Sequence, residues 1–546
     1  PSNPLLMSKD IEAGSNGDVE VGEAAAATVG TPSSSNFRQR KAMLLSFLFI
    51  LAIVAVAIAG ARSRVGYVAI GAMMVYGIHW TLIWLYESLV DPFLPSHGPR
   101  HKVKRTSARL AYYAVFFLSF ATMFRHRDGD DVNAYDFMGL NCLGAYMIVI
   151  AVLFYVDLAL AIAEVIRGVG PLVTPTEDVE AAEESEFRKK KAAICWALIA
   201  IGLIQSAVLC YAEPIITRLS IPLEDLHPCL DGYKIALISD IHVGVLVAKE
   251  EIEMTLRKAN EEGVQSMAIS GDLGDQKVGA AALHSMKPFV DDVDAQVPML
   301  WTSGNHENFV GVKSWRTVIE DHGIINIENS FFVHRGVDFG WCGGAADGEA
   351  DASINFVGLA DLSGRSMQNT TSMYPESEFI VQPQLSQTMN SLSAHIGKPV
   401  SAADDVATVL LYHTPAEFKQ NSEAGSDLQL SGHTHGGHVW PFHAFTLMYD
   451  GTSGLFSRSV AGGGDKKFMY VSEGVIGWGP RVRLFSRPEI TIITLKSGGG
   501  EPSGDTGLRV GEAFKYITLV SLVLGALVHG YVMFIKATKK EATAAG

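Results

Sequence analysis

Residues 235–244, IALISDIHVG, decide the fold: an apolar, β-branched run stops at Ser239 and delivers Asp240 and His242 immediately after it. A short apolar run closed by a turn reads as a buried strand, and polar groups just past its end sit on a rigidly anchored loop. Four further stretches repeat this grammar in order: SMAISGDLGD (266–275), PMLWTSGNHEN (298–308), VATVLLYHTP (406–415) and LQLSGHTHGGH (428–438). Between the strands, KEEIEMTLRKANEEG (249–263) and SWRTVIEDHG (314–323) read as helices, so the segment is of the α/β class. Its function is expected at the strand ends, where Asp, Asn and His gather.

Working outward, the chain has 546 residues, of which 48% are apolar, so more than one structural unit is expected and part of it in lipid. The formal net charge of -15 argues against nucleic acid as a partner, because that affinity comes largely from Lys and Arg neutralising phosphates. Residues 1–36, rich in Ala, Gly, Ser and Glu, read as a disordered tail. Apolar stretches at 43–61, 66–90, 109–124, 138–166 and 192–212, with another at 517–535, predict five membrane spans before the α/β segment and one after it. The resulting division is a tail (1–36), a five-span region (37–212), the α/β domain (213–496), a Gly/Ser-rich linker (497–512) and a last span with a basic tail (513–546).

Basic residues accumulate before the first span and in the loops after the second and fourth, from Arg38 through Arg105 to Lys191, and again at Lys536, Lys539 and Lys540. The positive-inside rule then places both termini in the cytoplasm and the α/β domain in a lumen or outside the cell. Asn369-Thr370-Thr371 is a glycosylation sequon usable on that side. Cys229 and Cys342 are the two cysteines of the domain, and an oxidising compartment permits them to pair. Cys142, Cys195 and Cys210 lie in apolar stretches and read as small hydrophobes. Asp157 and Glu164 are the acids inside the fourth span, and Asp157 has no evident intramembrane cationic partner.

The five patches SDIHVG, GDLGD, GNHEN, LLYHTP and SGHTHGGH, together with GHTHGGHVWPF and FMYVSEGVIGWGPRVRLFSRPEITIITL, resemble the calcineurin-like metallophosphoesterases. The similarity is strongest to the branch that joins such a domain to several membrane spans. It implies a four-layer α/β/β/α sandwich holding two divalent cations, Mn, Fe or Zn. Carried onto this chain, one cation falls to Asp240, His242, Asp272 and His435, and the other to Asp272, Asn305, His413 and His433, with Asp272 bridging. Mixed nitrogen and oxygen donors suit those ions, and a carboxylate can span two cations. His433 and His435 would point oppositely on a strand, whereas a tight loop flanked by Gly432, Gly436 and Gly437 lets both reach the cage. The implied activity is hydrolysis of a phosphate mono- or diester by a metal-bridging hydroxide, with His306 as general acid oriented by Asp275.

Other residues carry blander expectations. His284, His322, His334, His395 and His443 read as solvated or capping histidines, and His438 as a neighbour of the cage or a tolerated exchange. Gln276 stands where protein phosphatases carry a phosphate-gripping Arg, which counts against a protein phosphomonoester as substrate. Asp361 reads as a rim acid or a turn residue, and Arg481, Arg483 and Arg487 as strand-flanking surface residues or an anion attractor. The substrate is a phosphoester that a membrane anchor makes accessible if lipid-linked. Competing readings are a catalytically silent receptor or scaffold and a transporter using Asp157.

Overall fold

In the computed structural model of the chain, residues 44–45, 48, 78–94, 101–125, 134–166 and 177–545 are described, apart from 245, 292–296, 343–351, 365–382, 401–405, 440–441, 461–464, 478, 480 and 508. The expected tail, nearly all of the first span, the first half of the second (66–77) and the Asn369 sequon lie outside the described residues, as does the side chain of Glu164.

Helical turns at 78–89 are followed by α1 (His101–Arg125), α2 (Ala134–Ile166) and α3 (Glu177–Cys210). The α/β domain then runs β1 (Ile215–Leu223), β2 (Lys234–Ile238), α4 (Lys249–Glu261), β3 (Ser266–Ser270), α5 (Ala280–Met286), α6 (Pro288–Asp291), β4 (Met299–Thr302), α7 (Asn305–Val310), α8 (Val312–Asp321), β5 (Ile325–Asn326), β6 (Ser330–Arg335) and β7 (Ser353–Gly358). It continues with α9 (Leu385–Ile396), β8 (Thr408–Leu411), α10 (Phe418–Glu423), β9 (Leu428–Ser431), α11 (Phe442–Phe445), β10 (Gly454–Ser459), β11 (Lys466–Val471), β12 (Glu489–Ser497), β13 (Ser503–Gly504) and α12 (Val510–Ala545).

The strands form a seven-stranded sheet, β13-β1-β12-β2-β3-β4-β5, and a six-stranded sheet, β10-β11-β9-β8-β7-β6. Strands β2 to β5 run parallel, as do β7, β8, β9 and β11, so their carboxyl ends converge on one edge of each sheet. Two-residue periodicity explains how each sheet serves two cores. In β2, Ile235 and Leu237 face the cluster between the sheets, with Val409, Leu411 and Leu430 from the other sheet. Ala236 and Ile238 face the opposite cluster, against Ile252 and Leu256 of α4 and Trp315 of α8. Leu410 likewise turns outward onto Met389 and Leu392 of α9. Helices therefore cover the outer face of both sheets, giving mixed sheets in an α/β/β/α arrangement. Trp315 is fully buried, and truncating so large a core side chain costs about 3–5 kcal/mol.

Three helical stretches among the described residues are long and apolar enough to cross a membrane: Gly144–Ala163, Ser185–Cys210 and Val510–Val532. The expected third span forms the helix α1, which is not among these three. Asp157 does have a cationic partner: it pairs with Lys191 of α3, while Trp84 Nε1 donates to its carboxylate at 2.8 Å. Nearby, Asp91 is bridged by Arg105 at 3.2 Å and Arg188 at 3.3 Å. Part of the expected linker folds back, since Ser503–Gly504 pairs antiparallel with Leu219 and Ser220 of β1. Cys229 and Cys342 form a disulfide, their Cα atoms 5.7 Å apart.

Candidate metal centre

Each polar patch follows a strand end directly: Asp240 and His242 after β2, Asp272 after β3, Asn305 after β4, His413 after β8, and His433 and His435 after β9. The turns are tight enough that Asp240, His242, Asp272, His433, His435 and His438 all have positive φ, six of the nine such non-glycine residues described. Conformations of that kind cost about 1–3 kcal/mol each and persist only where the surroundings enforce them. The loops press closely together: a Cβ at Gly432 would run into the side chains of Ser239 and Asp240, so only glycine fits there.

One ligand atom each from Asp240, His242 and His435 lie within 4.8 Å of one another, and so do those of Asp272, His413 and His433. A third grouping, His242, Asp272 and His306, joins the two. The Nε2 atoms of His242 and His435 face each other at 3.1 Å, and His435 Nε2 is 3.3 Å from Asp240 Oδ1. On the other side His413 Nε2 lies 3.0 Å from Asp272 Oδ2 and 3.3 Å from Asn305 Oδ1, and His433 Nδ1 lies 2.7 Å from that same oxygen. All seven candidate ligands thus converge, with Asp272 between the two halves. Imidazole nitrogens aimed at one another across carboxylate oxygens form a donor set that fits divalent cations of the N/O-preferring type.

Remote atoms fix how the ligands point. His413 Nδ1 is held at 2.7 Å by the Ser270 carbonyl, which turns Nε2 into the cage. His433 faces the cage through Nδ1 and sets its Nε2 2.7 Å from the Tyr449 hydroxyl. His306 Nδ1 hydrogen-bonds Asp275 Oδ1, and its Nε2 lies 4.0 Å from Asp272 Oδ2. Glu307 accepts the backbone N–H groups of Gly304 at 2.7 Å, Gly274 at 2.8 Å and Asp272 at 3.2 Å, tying the second and third patches together.

The electrostatics follow from burying acids and imidazoles side by side. Burial pushes the Asp240 carboxyl up to about 6. Burial and the neighbouring His306 take His242 down to about 3, and burial with His413 takes His433 down to about 4. Burial also keeps His435 well below the usual imidazole range, so these rings are held neutral, as metal ligands must be. Burial opposes charge at Asp272 and His413 too, but their mutual attraction wins, with Asp272 held well below and His413 well above its ordinary value.

Several neighbours differ from their sequence reading. Arg483 is fully buried rather than on the surface, donating to the carbonyls of Glu473 at 2.9 Å and Gly474 at 3.2 Å, with its Nη2 3.4 Å from His435 Nδ1. Arg481 is also buried and forms a two-pronged pair with Glu251 at 2.6 and 3.1 Å. A strand-flanking arginine in RVRLFSRP looks solvated in sequence because nothing there reveals the elements packed over it. Asp361 is the turn residue of its two readings, not a rim acid: it is buried behind the fourth patch, accepting from Thr414 Oγ1 at 2.5 Å and the Ser363 N–H at 2.8 Å. His334 is buried and bonded to the Tyr233 hydroxyl at 2.6 Å, and His443 is buried under Phe514. His438 is buried 5.4 Å, ring to ring, from His435. Tyr449 and Glu307 are the site residues that sequence reasoning missed. Glu307 had a signal, an acid three residues after Gly304 at a helix start; Tyr449 had none.

Residues 233–437 match the family profile of the calcineurin-like phosphoesterases. The transmembrane protein with metallophosphoesterase domain of Danio rerio is 27% identical over 66% of this chain and 73% of its own length. Its namesake in Bos taurus is 25% identical over 71% of this chain and 79% of its own. An uncharacterized metallophosphoesterase of Campylobacter jejuni is 26% identical, covering 48% of this chain and 59% of its own length.

Proposed function

From the calcineurin-like phosphoesterase domain that residues 233–437 constitute, we propose that the chain is a membrane-anchored, metal-dependent hydrolase of phosphate mono- or diesters. The observation that carries this reading is the pair of ligand clusters, Asp240–His242–His435 and Asp272–His413–His433, joined through the His242–Asp272–His306 grouping, with a hydrogen-bonded His–Asp pair beside them. Asp240, His242, Asp272 and His435 would hold one divalent cation, and Asp272, Asn305, His413 and His433 a second. Such cations supply Lewis acidity toward the phosphoryl oxygens and the attacking water. The remaining chemistry falls to the chain: an oxygen from water bonds to phosphorus, the ester P–O bond breaks, and the leaving oxygen needs a proton. His306 lines the cleft, and Asp275 on its Nδ1 fixes the ring so that Nε2 faces the reacting group.

The same reading places the domain on the side opposite the basic loops. Two features support it. Arg105 and Arg188 meet at Asp91 near one end of the bundle, whereas α3 delivers the chain to β1 at the other. Arg188 to Cys210 is 22 residues, about 33 Å of helix, close to a bilayer's hydrocarbon thickness. The Cys229–Cys342 bond suits an oxidising compartment.

The test is turnover by the purified full chain with Mn²⁺ on aryl phosphate mono- and diesters, alongside elemental analysis. Turnover with about two metal ions per chain is the expected result. Absence of both turnover and bound metal, for every divalent ion tried, would overturn the reading.

A further inference from the structure

The cleft over the cage, about 270 Å³, has two unlike walls. One is made of Asp272, Asn305, His306, His433 and His435, with the Phe309 ring 5.8 Å from that of His306; the other includes Phe442 and Phe445 of α11. No Lys or Arg is among its described lining residues. A glycerol or sugar phosphate has no apolar part to bury on those two rings, and their position shows what lies next to them. Phe442 belongs to an apolar cluster with Ile148 of α2 and with Val439, Val482 and Leu484. Phe445 and its neighbour Ala444 belong to the cluster that also holds Phe154 of α2 and Leu519 and Leu522 of α12. Leu519 and Leu522 lie nine and twelve residues into α12, about 14–18 Å along its axis. The short helix α11 therefore wedges between the metal site and helices apolar enough to cross a bilayer, reaching past the charged first turns of α12.

The metal-site loop and the membrane helix also touch directly. Gly511 packs so tightly on Gly436 of the fifth patch that a Cβ there would strike the Gly436 carbonyl, and Glu512 accepts the Thr452 N–H at 2.8 Å. At the same level Phe485 is held at φ 67, is 43% exposed, and stacks on Phe514 of α12 with ring centroids 4.5 Å apart. Met448, between the cleft residues Thr446 and Tyr449, is 45% exposed. Phe485 and Met448 thus leave large apolar side chains part-exposed beside α12 and the cleft.

We propose that the substrate is a lipid-borne phosphate ester whose phosphate enters the cage from the bilayer surface while its apolar chain lies along Phe442 and Phe445. This rests on the phosphoesterase reading above and narrows it: the aromatic wall selects for a chain continuous with the membrane, and the cations and imidazoles serve the phosphate.

The experiment uses the full chain in lipid nanodiscs with Mn²⁺ and two head-group-matched pairs. These are dioleoyl phosphatidic acid against glycerol 3-phosphate, and dioleoyl phosphatidylglycerol against glycerophosphoglycerol, with p-nitrophenyl phosphate and its bis-ester as chain-free controls. In whichever pair is cleaved, kcat/KM is expected to favour the chain-bearing member at least about a hundredfold. That ratio should fall at least about tenfold in Phe442→Ala and Phe445→Ala at unchanged metal content. Equal kcat/KM within the pairs, or aryl ester turnover with no lipid cleavage, overturns the lipid proposal and leaves the phosphoesterase reading standing. No cleavage of any ester overturns both. The pairwise comparison needs only the unmodified chain, so it decides even if the Phe variants fold poorly.

Discussion

Two clusters of charge in this molecule are built on opposite rules. In the helical bundle the buried acids Asp157, Asp91 and Glu87 each have a base: Asp157 with Lys191, Asp91 with Arg105 and Arg188, and Glu87 with Arg109 at 3.7 Å. Their backbone is regular helix or a short helical turn. At the strand ends, nitrogen and oxygen donors crowd together on turns with positive φ, and two imidazole nitrogens face one another at 3.1 Å. Internal pairing is what a fastener needs, whereas convergent lone pairs await a cation.

The largest effect that can break this contrast is at the shared carboxylate. Asp272→Asn keeps the side-chain volume but loses the charge that both ligand groups share, so activity is expected to fall more than about a thousandfold. Metal content by elemental analysis should fall with it while the melting temperature stays near that of the unmodified chain. A variant that keeps metal and rate would mean that the cage is no different in kind from the bundle cluster. Next comes His306→Gln, which should retain metal yet lower kcat by about 10²–10⁴-fold on alkyl esters. The loss should shrink on p-nitrophenyl esters, whose leaving group needs no proton; equal losses on both would remove the acid role.

Which cluster could be seen in the sequence follows from the same contrast. The cage ligands come two to four residues after strands with unmistakable apolar patterns, so local order alone places them at strand ends. Alternation also assigns the faces, as Ile235 and Leu237 against Ala236 and Ile238 show. The pairing of Asp157 with Lys191 depends on the register of one helix against another, which hydropathy does not encode. Arg483 was misread for a similar reason, because its burial comes from loops and from α3, whose Ser206 hydroxyl accepts its N–H at 3.0 Å. Tyr449 reaches His433 only because α11 folds back over the cage. The count of spans stays an expectation for the first two stretches, which fall mostly outside the described residues.

A smaller effect sharpens the fastener side. Asp157→Asn leaves the largely enclosed Lys191 ammonium without its counter-ion, and breaking one member of a fully buried pair costs about 3–5 kcal/mol, an upper bound here. Thermal unfolding in detergent should show that loss, and Asp157→Leu with Lys191→Met should recover much of it. Hydrolysis per folded molecule should not change in either variant. A rate that follows Asp157 with the fold intact would show the two clusters to be coupled.

The finest discrimination lies within the cage, at Tyr449. If His433 binds through Nδ1, the ring's proton sits on Nε2 and is donated to the Tyr449 oxygen at 2.7 Å. Burial and the nearby Asp361 raise the Tyr449 pKa, so the phenol stays neutral and keeps that role across the working pH range. Tyr449→Phe removes the acceptor without opening the cleft, and losing an outer partner of this kind typically weakens metal binding about 10–100-fold. Only the Asn305, His413 and His433 half touches this tyrosine, so a metal titration should become biphasic, one site weakened and the Asp240, His242 and His435 half unmoved. A uniform shift of both sites would instead mean that Asp272 couples them so tightly that the cage fills as a unit, and the two halves could no longer be treated as separate.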